Sequence, residues 1–438
     1  MSLSASQPAA SFVHETARDV PVAGHADVVV CGAGPAGIAA ALAVARTGAR
    51  TVLIEVHGCL GGIWTAGQLA WIMDVKDKPG IMAEIVAELE RRGARRPRVE
   101  GGTNFAYDIE EMKLLLDELT AAAGVRVRLH TRVVAALRDS DGRLRSVITE
   151  SKSGREAWTA SAFVDATGDG DLSALAGCGF DLGRPGDGEC QPMSLVSLVC
   201  GAAPAEIQSF IGGGLREPKE RLLAELRRAG VEPSYTAPTL FHIRDDLYAL
   251  MANHEYGVSA LDADAIGAAT TRARAEVNRI VRALRGLGGC WADFRLVATP
   301  AHIGVREGRR VHGRYTVTEN DLLSGARHED AICRVNFGID VHSTNRAHGG
   351  AFDVANKRRS QPYDIPLRAL IAKDVDGLLM AGRCISGDFI AHSSYRITGA
   401  AVTLGQAAGV AAALAARSGI APGEVPFSEV RDALARLG

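Results

Sequence analysis

Four apolar residues in a row, Val28-Val-Val-Cys31, lead into a cluster of glycines. A short, unbroken, β-branched run of this kind predicts a strand buried on both faces. The Ala-rich stretch over 35–46 predicts a helix. Its leading proline is preset for a first helical turn and gives up an N–H that the turn does not use. Thr51-Val-Leu-Ile predicts a second buried strand, ending at Glu55. Apolar residues spaced three and four apart then predict helices over 80–91 (Ile81, Ile85, Val86 and Leu89 inward) and 110–123 (Met112, Leu115, Leu116 and Leu119 inward). Strands are predicted at 125–129, 132–137 and 144–149. Asp139-Ser-Asp-Gly142 forms the hairpin turn between the last two. A further run, 158–164, enters Asp165-Ala-Thr-Gly-Asp-Gly-Asp171.

From about residue 195 the pattern changes. Helices at 204–211, 219–229 and about 262–287 alternate with short irregular strands, and His, Tyr and Arg become more frequent. Near the end, 377–382 predicts a buried strand and 389–398 reads as a polar loop. Residues 399–416 predict a helix whose Gly405, Ala408, Gly409 and Ala412 permit close packing. Strands that alternate with helices indicate an α/β protein. The chain divides into a loose tail (1–25), a first dinucleotide-binding part (26–194), an inserted α+β substrate or cap region (195–362) and a closing strand and helix (363–438). No internal repeat is visible.

The glycines carry the first chemical inference. In Gly32-Ala33-Gly34-Pro35-Ala36-Gly37, the first glycine permits a tight turn. The second lets backbone approach a pyrophosphate, and the third lets the helix pack close to the strand. The helix N-terminus then offers free N–H groups and a favourable dipole to phosphate. Glu55 follows about twenty residues later, where a carboxylate can accept hydrogen bonds from ribose hydroxyls. An acidic residue there disfavours a 2′-phosphate, which leaves FAD or NAD.

Bulk properties exclude several partners. The chain has 438 residues, 47% apolar and 23% charged, with a formal net charge of −2. Nothing in that balance favours nucleic acid or an anionic membrane surface. No apolar run reaches a membrane span, and the first residues lack the pattern of a signal peptide. Eight cysteines without a CxxC pair suggest reduced thiols in a cytoplasm, with neither a metal site nor a redox dithiol.

Several motifs occur in a recognisable order: Gly32-x-Gly34-x-x-Gly37, Leu60-Gly-Gly62, Asp165-Ala-Thr-Gly-Asp-Gly-Asp-Leu172, Gln191-Pro-Met193, Gly304-Val-Arg-Glu307 with Arg310, Gly382-Arg-Cys-Ile-Ser386 and Gly405-Gln-Ala-Ala-Gly409. In these the chain resembles the FAD-dependent oxidoreductase family of the glutathione-reductase-like flavoproteins, and more distantly the fumarate reductase and succinate dehydrogenase flavoproteins. The resemblance covers about 26–416. It implies extended FAD on a Rossmann-like domain of glutathione-reductase type. Gly32, Ala33, Gly34, Pro35, Ala36 and Gly37 would contact the pyrophosphate, and Glu55 and Val56 the adenosine ribose. Gly61 and Gly62 would follow the phosphates, and Val133 would present backbone to adenine. Ala166, Gly168 and Asp169 form the second glycine motif. Gly399 and Ala400 would aim N–H groups at flavin N1 and O2, where negative charge gathers on reduction. Many relatives carry Gly-Asp after the last strand. Here the aligned pair is Gly382-Arg383, so Asp388 or a backbone group would hold the ribityl chain. His57 stands closer to the Gly61-Gly62 pair than the histidine of covalent flavoproteins, so no covalent link is expected.

Glycine runs at 212–214 and 288–289 lack the spacing of a second nucleotide fold, so a transient partner or second substrate must exchange electrons with the flavin. Ligands in open α/β sheets bind beyond the carboxyl ends of the strands. That places His392, Ser394, Tyr395 and Arg396 near the flavin ring, with His392 suited to proton transfer. Arg306 could fork onto a substrate carboxylate or carbonyl, or pair with Glu307. His342 is a third pocket candidate. Trp64, Trp71 and Trp291 read as core or pocket wall. The expected activity is hydride transfer between flavin N5 and a small organic substrate. The alternatives are a flavin monooxygenase or halogenase, whose Asp-Gly and Trp motifs are lacking, and a carrier that binds FAD without turnover.

Overall fold

The computed structural model describes residues 12–97, 103–212, 215–348 and 358–438. Its central element is a five-stranded sheet, all parallel. The strands are β1 (Val28–Cys31), β2 (Thr51–Ile54), β3 (Arg126–Arg128), β4 (Ala162–Asp165) and β5 (Leu378–Met380), in the spatial order β5-β4-β1-β2-β3. β1, β2, β4 and β5 are buried along their whole length, as unbroken apolar runs require. β5 arrives from more than two hundred residues away in sequence, so the closing segment completes the sheet begun at the N-terminus.

Helix α1 (Pro35–Arg46) packs on this sheet against α3 (Thr398–Ser418). The contact is very close. A Cβ on Gly405 would lie 2.0 Å from the Ala36 carbonyl oxygen, and one on Gly409 would lie 2.3 Å from that of Ala40. α3 is long and apolar enough to cross a membrane, but 89% of its most apolar window is buried inside the protein. The helices over Ile81–Arg91 and Ile109–Ala122 fall within two residues of their predicted bounds.

A second sheet combines Val22–His25, Gly154–Thr159, Leu144–Ser151 and Arg132–Arg138. Its first strand lies inside the segment expected as a tail and is held in parallel register by Ala157–Thr159. Residues 1–11 of that segment lie outside the described residues, as do Gly213 and Gly214.

In the middle of the chain, Thr239–Arg244, Leu247–Met251, Ser197–Cys200 and Arg295–Ala298 form an antiparallel sheet. The helices Arg216–Arg228 and Ala263–Gly286 pack on it. A separate apolar cluster, from Met193 to Ile303, fills this region. Further along, Val311, Val317, Leu322 and Val335 pack in the larger cluster around the parallel sheet. The stretch 389–398, expected as a loop, contains a short helix, α2 (Phe389–Tyr395). Asp388 is the reason: its Oδ1 accepts the Ala391 N–H at 2.7 Å as an N-cap, and its Oδ2 accepts the Glu319 N–H at 2.7 Å.

Candidate active site

The glycine turn between β1 and α1 behaves at each position as its geometry requires. Gly32 has φ +92°, and a Cβ there would lie 2.5 Å from the Ala166 carbonyl oxygen. A Cβ on Gly37 would fall 1.7 Å from the Gly32 oxygen. At Gly34 a Cβ would meet nothing within 4 Å. The turn is therefore closed by packing on both sides and open in the middle, in front of the first N–H groups of α1. The Ala33 N–H donates to Glu55 Oε2 at 2.6 Å, and the His57 N–H donates to Oε1 at 2.9 Å. A carboxylate offers about four acceptor positions, so Glu55 steadies the turn and retains capacity for ribose hydroxyls. Val56 beside it is half exposed, at 49%. Val133 follows Thr131, whose N–H donates to the Glu55 carbonyl.

The other motifs converge on the same turn. The Gly61 N–H donates to the Ala33 carbonyl at 2.8 Å, and a Cβ on Gly62 would touch Gly34 Cα at 2.9 Å. The Ala166 N–H donates to Cys31, and the Ala381 N–H to Asp165, each at 2.8 Å. Gly382 (φ +84°) lies against Ala36. Arg383 pairs with Asp169 at 2.8 Å, lies over Gly168 and donates to the Val305 carbonyl. Asp165 is fully buried, and its carboxylate collects four hydrogen bonds from the N–H and hydroxyl groups of Thr167 and Ser173. Burial outweighs these bonds and raises its pKa. Asp388 has both oxygens engaged in the helix cap. Gly399 abuts the carbonyls of Met73 and Asp74, where a Cβ would come within 2.4 Å of each oxygen. Ala400 is buried in the same first turn of α3.

The candidates for chemistry fall into two groups. His392 lies in α2, fully buried, with neither ring nitrogen hydrogen-bonded among the described residues. Burial, reinforced by Arg396, Arg310 and Arg383, holds its imidazole neutral, well below the usual pKa. Tyr395 is edge-on to His392 at 5.5 Å and donates its hydroxyl to the Ile385 carbonyl at 3.0 Å.

The second group gathers Arg306, His342 and Arg396 with residues that the sequence did not single out: Tyr235, His254, Tyr256 and Asp340. The His254 ring lies 4.1 Å from that of Tyr235 and 5.0 Å from that of His342. Its Nδ1 is 3.2 Å from the Tyr256 hydroxyl. Arg396 donates to the Asp340 carbonyl at 2.8 Å and lies 3.4 Å from its carboxylate, which also faces His342 Nε2 at 3.5 Å. Burial pushes His342 down to about 3 and His254 well below its usual range. Against its own burial, Asp340 is held ionised first by His342 beside it and then by Arg396 and Arg306. Arg306 does not pair with Glu307. In this irregular segment adjacent side chains diverge, and Glu307 instead binds Arg310 and the Gln191 N–H. Gln191 in turn accepts from the His342 N–H at 3.0 Å and from Arg396 at 3.3 Å. For Tyr235, His254, Tyr256 and Asp340 the frequency of His and Tyr in the middle region was the one hint in the sequence.

The His57 and His302 rings stack at 4.4 Å and 10°. Trp64 is fully buried, with its Nε1 unpartnered among the described residues.

A parallel sheet with an open glycine turn at a helix N-terminus, an acidic residue ending the next strand and a buried polar cluster beyond the sheet define a dinucleotide-dependent enzyme. The chain matches the model of the FAD dependent oxidoreductase family over residues 27–434 and belongs to that family. Its cofactor is FAD, and its activity is that of an FAD-dependent oxidoreductase with a small-molecule substrate and a redox partner. The open space at Gly34 and the acceptor capacity of Glu55 fit such a group. No curated protein matches by sequence. Among solved structures, the chain is similar to a geranylgeranyl bacteriochlorophyll reductase-like protein from Thermoplasma acidophilum (12% identity, 94% of this chain and 82% of that one, TM-score 0.47). It is also similar to the myxobacterial chondrochloren halogenase CndH (16%, 94% and 78%, 0.49) and to the anhydrotetracycline hydroxylase OxyS from Streptomyces rimosus (13%, 94% and 66%, 0.47).

Proposed function

We propose that the enzyme exchanges a hydride between flavin N5 and a small organic substrate. We further propose a glutathione-reductase type of FAD domain, distantly related to the fumarate reductase and succinate dehydrogenase flavoproteins. The observation that carries the reading is the open position at Gly34, flanked by glycines that packing alone explains. Bound FAD supplies the hydride acceptor or donor; the rest is the work of the chain. The first turn of α1 and the Gly61-Gly62 backbone hold the pyrophosphate, with Glu55, Val56 and Val133 on the adenosine side. Ala166, Gly168, Gly382 and Arg383 line the path toward the ribityl chain. Gly399 and Ala400 direct the N-terminus of α3 at the flavin edge and so favour negative charge there. Neutral His392, with both ring nitrogens unpartnered among the described residues, can accept or donate one proton. Arg306, His342 and Arg396 face the substrate, which enters from the middle region, 195–362. Asp388 and Tyr395 act at one remove, by fixing α2.

Anaerobic rapid mixing of the purified yellow protein with candidate reductants tests this. A substrate should bleach the flavin without oxygen, and His392→Ala should slow bleaching while FAD content stays constant. Bleaching at the wild-type rate in that variant would end the assignment of His392. Turnover that strictly needs oxygen and leaves the anaerobic flavin oxidised would end the hydride reading.

A further inference from the structure

Four arginines border the site, and three are paired with carboxylates: Arg310 with Glu307, Arg383 with Asp169 and Arg396 with Asp340. The fourth, Arg306, has no carboxylate within ion-pair distance among the described residues. Its Nη1 donates to the Pro192 carbonyl at 2.7 Å and to Ser194 Oγ at 2.8 Å. Its Nη2 reaches only Met251 Sδ, at 3.8 Å. A guanidinium has five N–H donors, so the Nε–Nη2 edge is left for another acceptor. Arg306 itself is half-buried. Burial pushes even this group down to about 10.

The neighbours do not balance the charge. Arg396 opposes the Arg306 cation and Asp340 favours it, while the phenols of Tyr235 and Tyr256 are held neutral by burial. Asp340 is shared with Arg396 and His342 and is felt by Lys219 at the rim. Both histidines are neutral. Two guanidinium groups therefore face one carboxylate, and the cluster holds excess positive charge where an unpaired ion is costly.

We propose that the free edge of Arg306 anchors the carboxylate of the substrate. The planar guanidinium fork matches a carboxylate. Asp340 disfavours a dianion such as phosphate. This proposal rests on the reading above that the flavin ring adjoins this cluster.

The test uses the FAD-loaded enzyme titrated with acetate, benzoate and succinate, with acetamide and benzamide as neutral counterparts and inorganic phosphate as the rival anion. Binding is followed by calorimetry and by the visible flavin spectrum. At least one carboxylate should bind saturably and perturb the spectrum, with its amide more than about tenfold weaker. Arg306→Met should weaken that carboxylate about a hundredfold and Arg306→Lys about tenfold, both with unchanged FAD content. The lysine variant keeps the charge and carries the test if the methionine variant misfolds. The proposal falls if no carboxylate binds, if amide or phosphate binds as well, or if both variants keep wild-type affinity. It also falls if a folded variant loses FAD, which would put Arg306 on the cofactor. Arg306-dependent heat without a spectral change would instead refute the adjacency to the flavin, and with it the substrate role.

Discussion

Substituting Gly34 and Gly37 separates a glycine needed for the ligand from one needed for the fold. Gly34 has φ −69° and ψ −175°, an extended backbone open to any residue, and a Cβ there meets no protein atom within 4 Å. Gly34→Val should therefore change the stability of the FAD-free chain by no more than about 1 kcal/mol. The added methyl groups occupy the approach to the helix N-terminus. Displacing a phosphate from two backbone N–H groups forfeits about 1.5–3 kcal/mol for each. That amounts to more than about a hundredfold in Kd. Gly37→Ala is the opposite case. Its methyl would fall 1.7 Å from the Gly32 oxygen, so helix and strand must separate, at a cost of at least about 3 kcal/mol. The assay pairs visible flavin absorbance per mole of purified protein with urea unfolding of the stripped chains. Gly34→Val should be colourless and as stable as the stripped wild type, and Gly37→Ala should be unstable. Stoichiometric flavin in the first variant, or normal stability in the second, would refute the assignment.

Other perturbations have defined signs. Asp388→Ala removes a helix cap and the acceptor of the Glu319 N–H, so urea unfolding should show a loss of about 1–2 kcal/mol with FAD content unchanged; selective loss of FAD would return Asp388 to the ribityl chain. His342 has a folded pKa of about 3 against about 6.5 unfolded. The unfolded chain thus binds the extra proton, and this contribution to stability is present above pH 6.5 and lost as pH falls toward 3. His342→Gln should cut the loss of stability between pH 7.5 and 5.5 by about 1.4 kcal/mol; an equal pH dependence in both proteins would contradict a buried neutral imidazole.

The glycine turn proposed for the cofactor was legible because each requirement is local. Gly32, Gly34 and Gly37 answer to the geometry of one turn, and Glu55 sits at the end of the adjacent strand. The substrate end was less so. Tyr235, His254 and His342 meet from segments up to about a hundred residues apart, and no periodicity records that meeting. Short α2 has too few residues for an apolar stripe, so its buried His392, Ser393 and Ser394 imitate a loop. Arg306 and Glu307 look like a pair on paper, and only the folded chain shows Glu307 turned to Arg310. Val22–His25 has little strand character of its own and is recruited by the edge that Ala157–Thr159 presents.

The interlock of Gly405 with Ala36 and of Gly409 with Ala40 bears on how the enzyme is made. Nothing bulkier than hydrogen fits at those two points, so α1, the proposed phosphate-binding helix, has its proper seat only once a stretch about 370 residues downstream has been synthesised. Until then a nascent chain exposes an alanine-rich surface and lacks the fifth strand. On the proposed reading, a chain that stops short of this stretch would have no finished seat for the cofactor's phosphates.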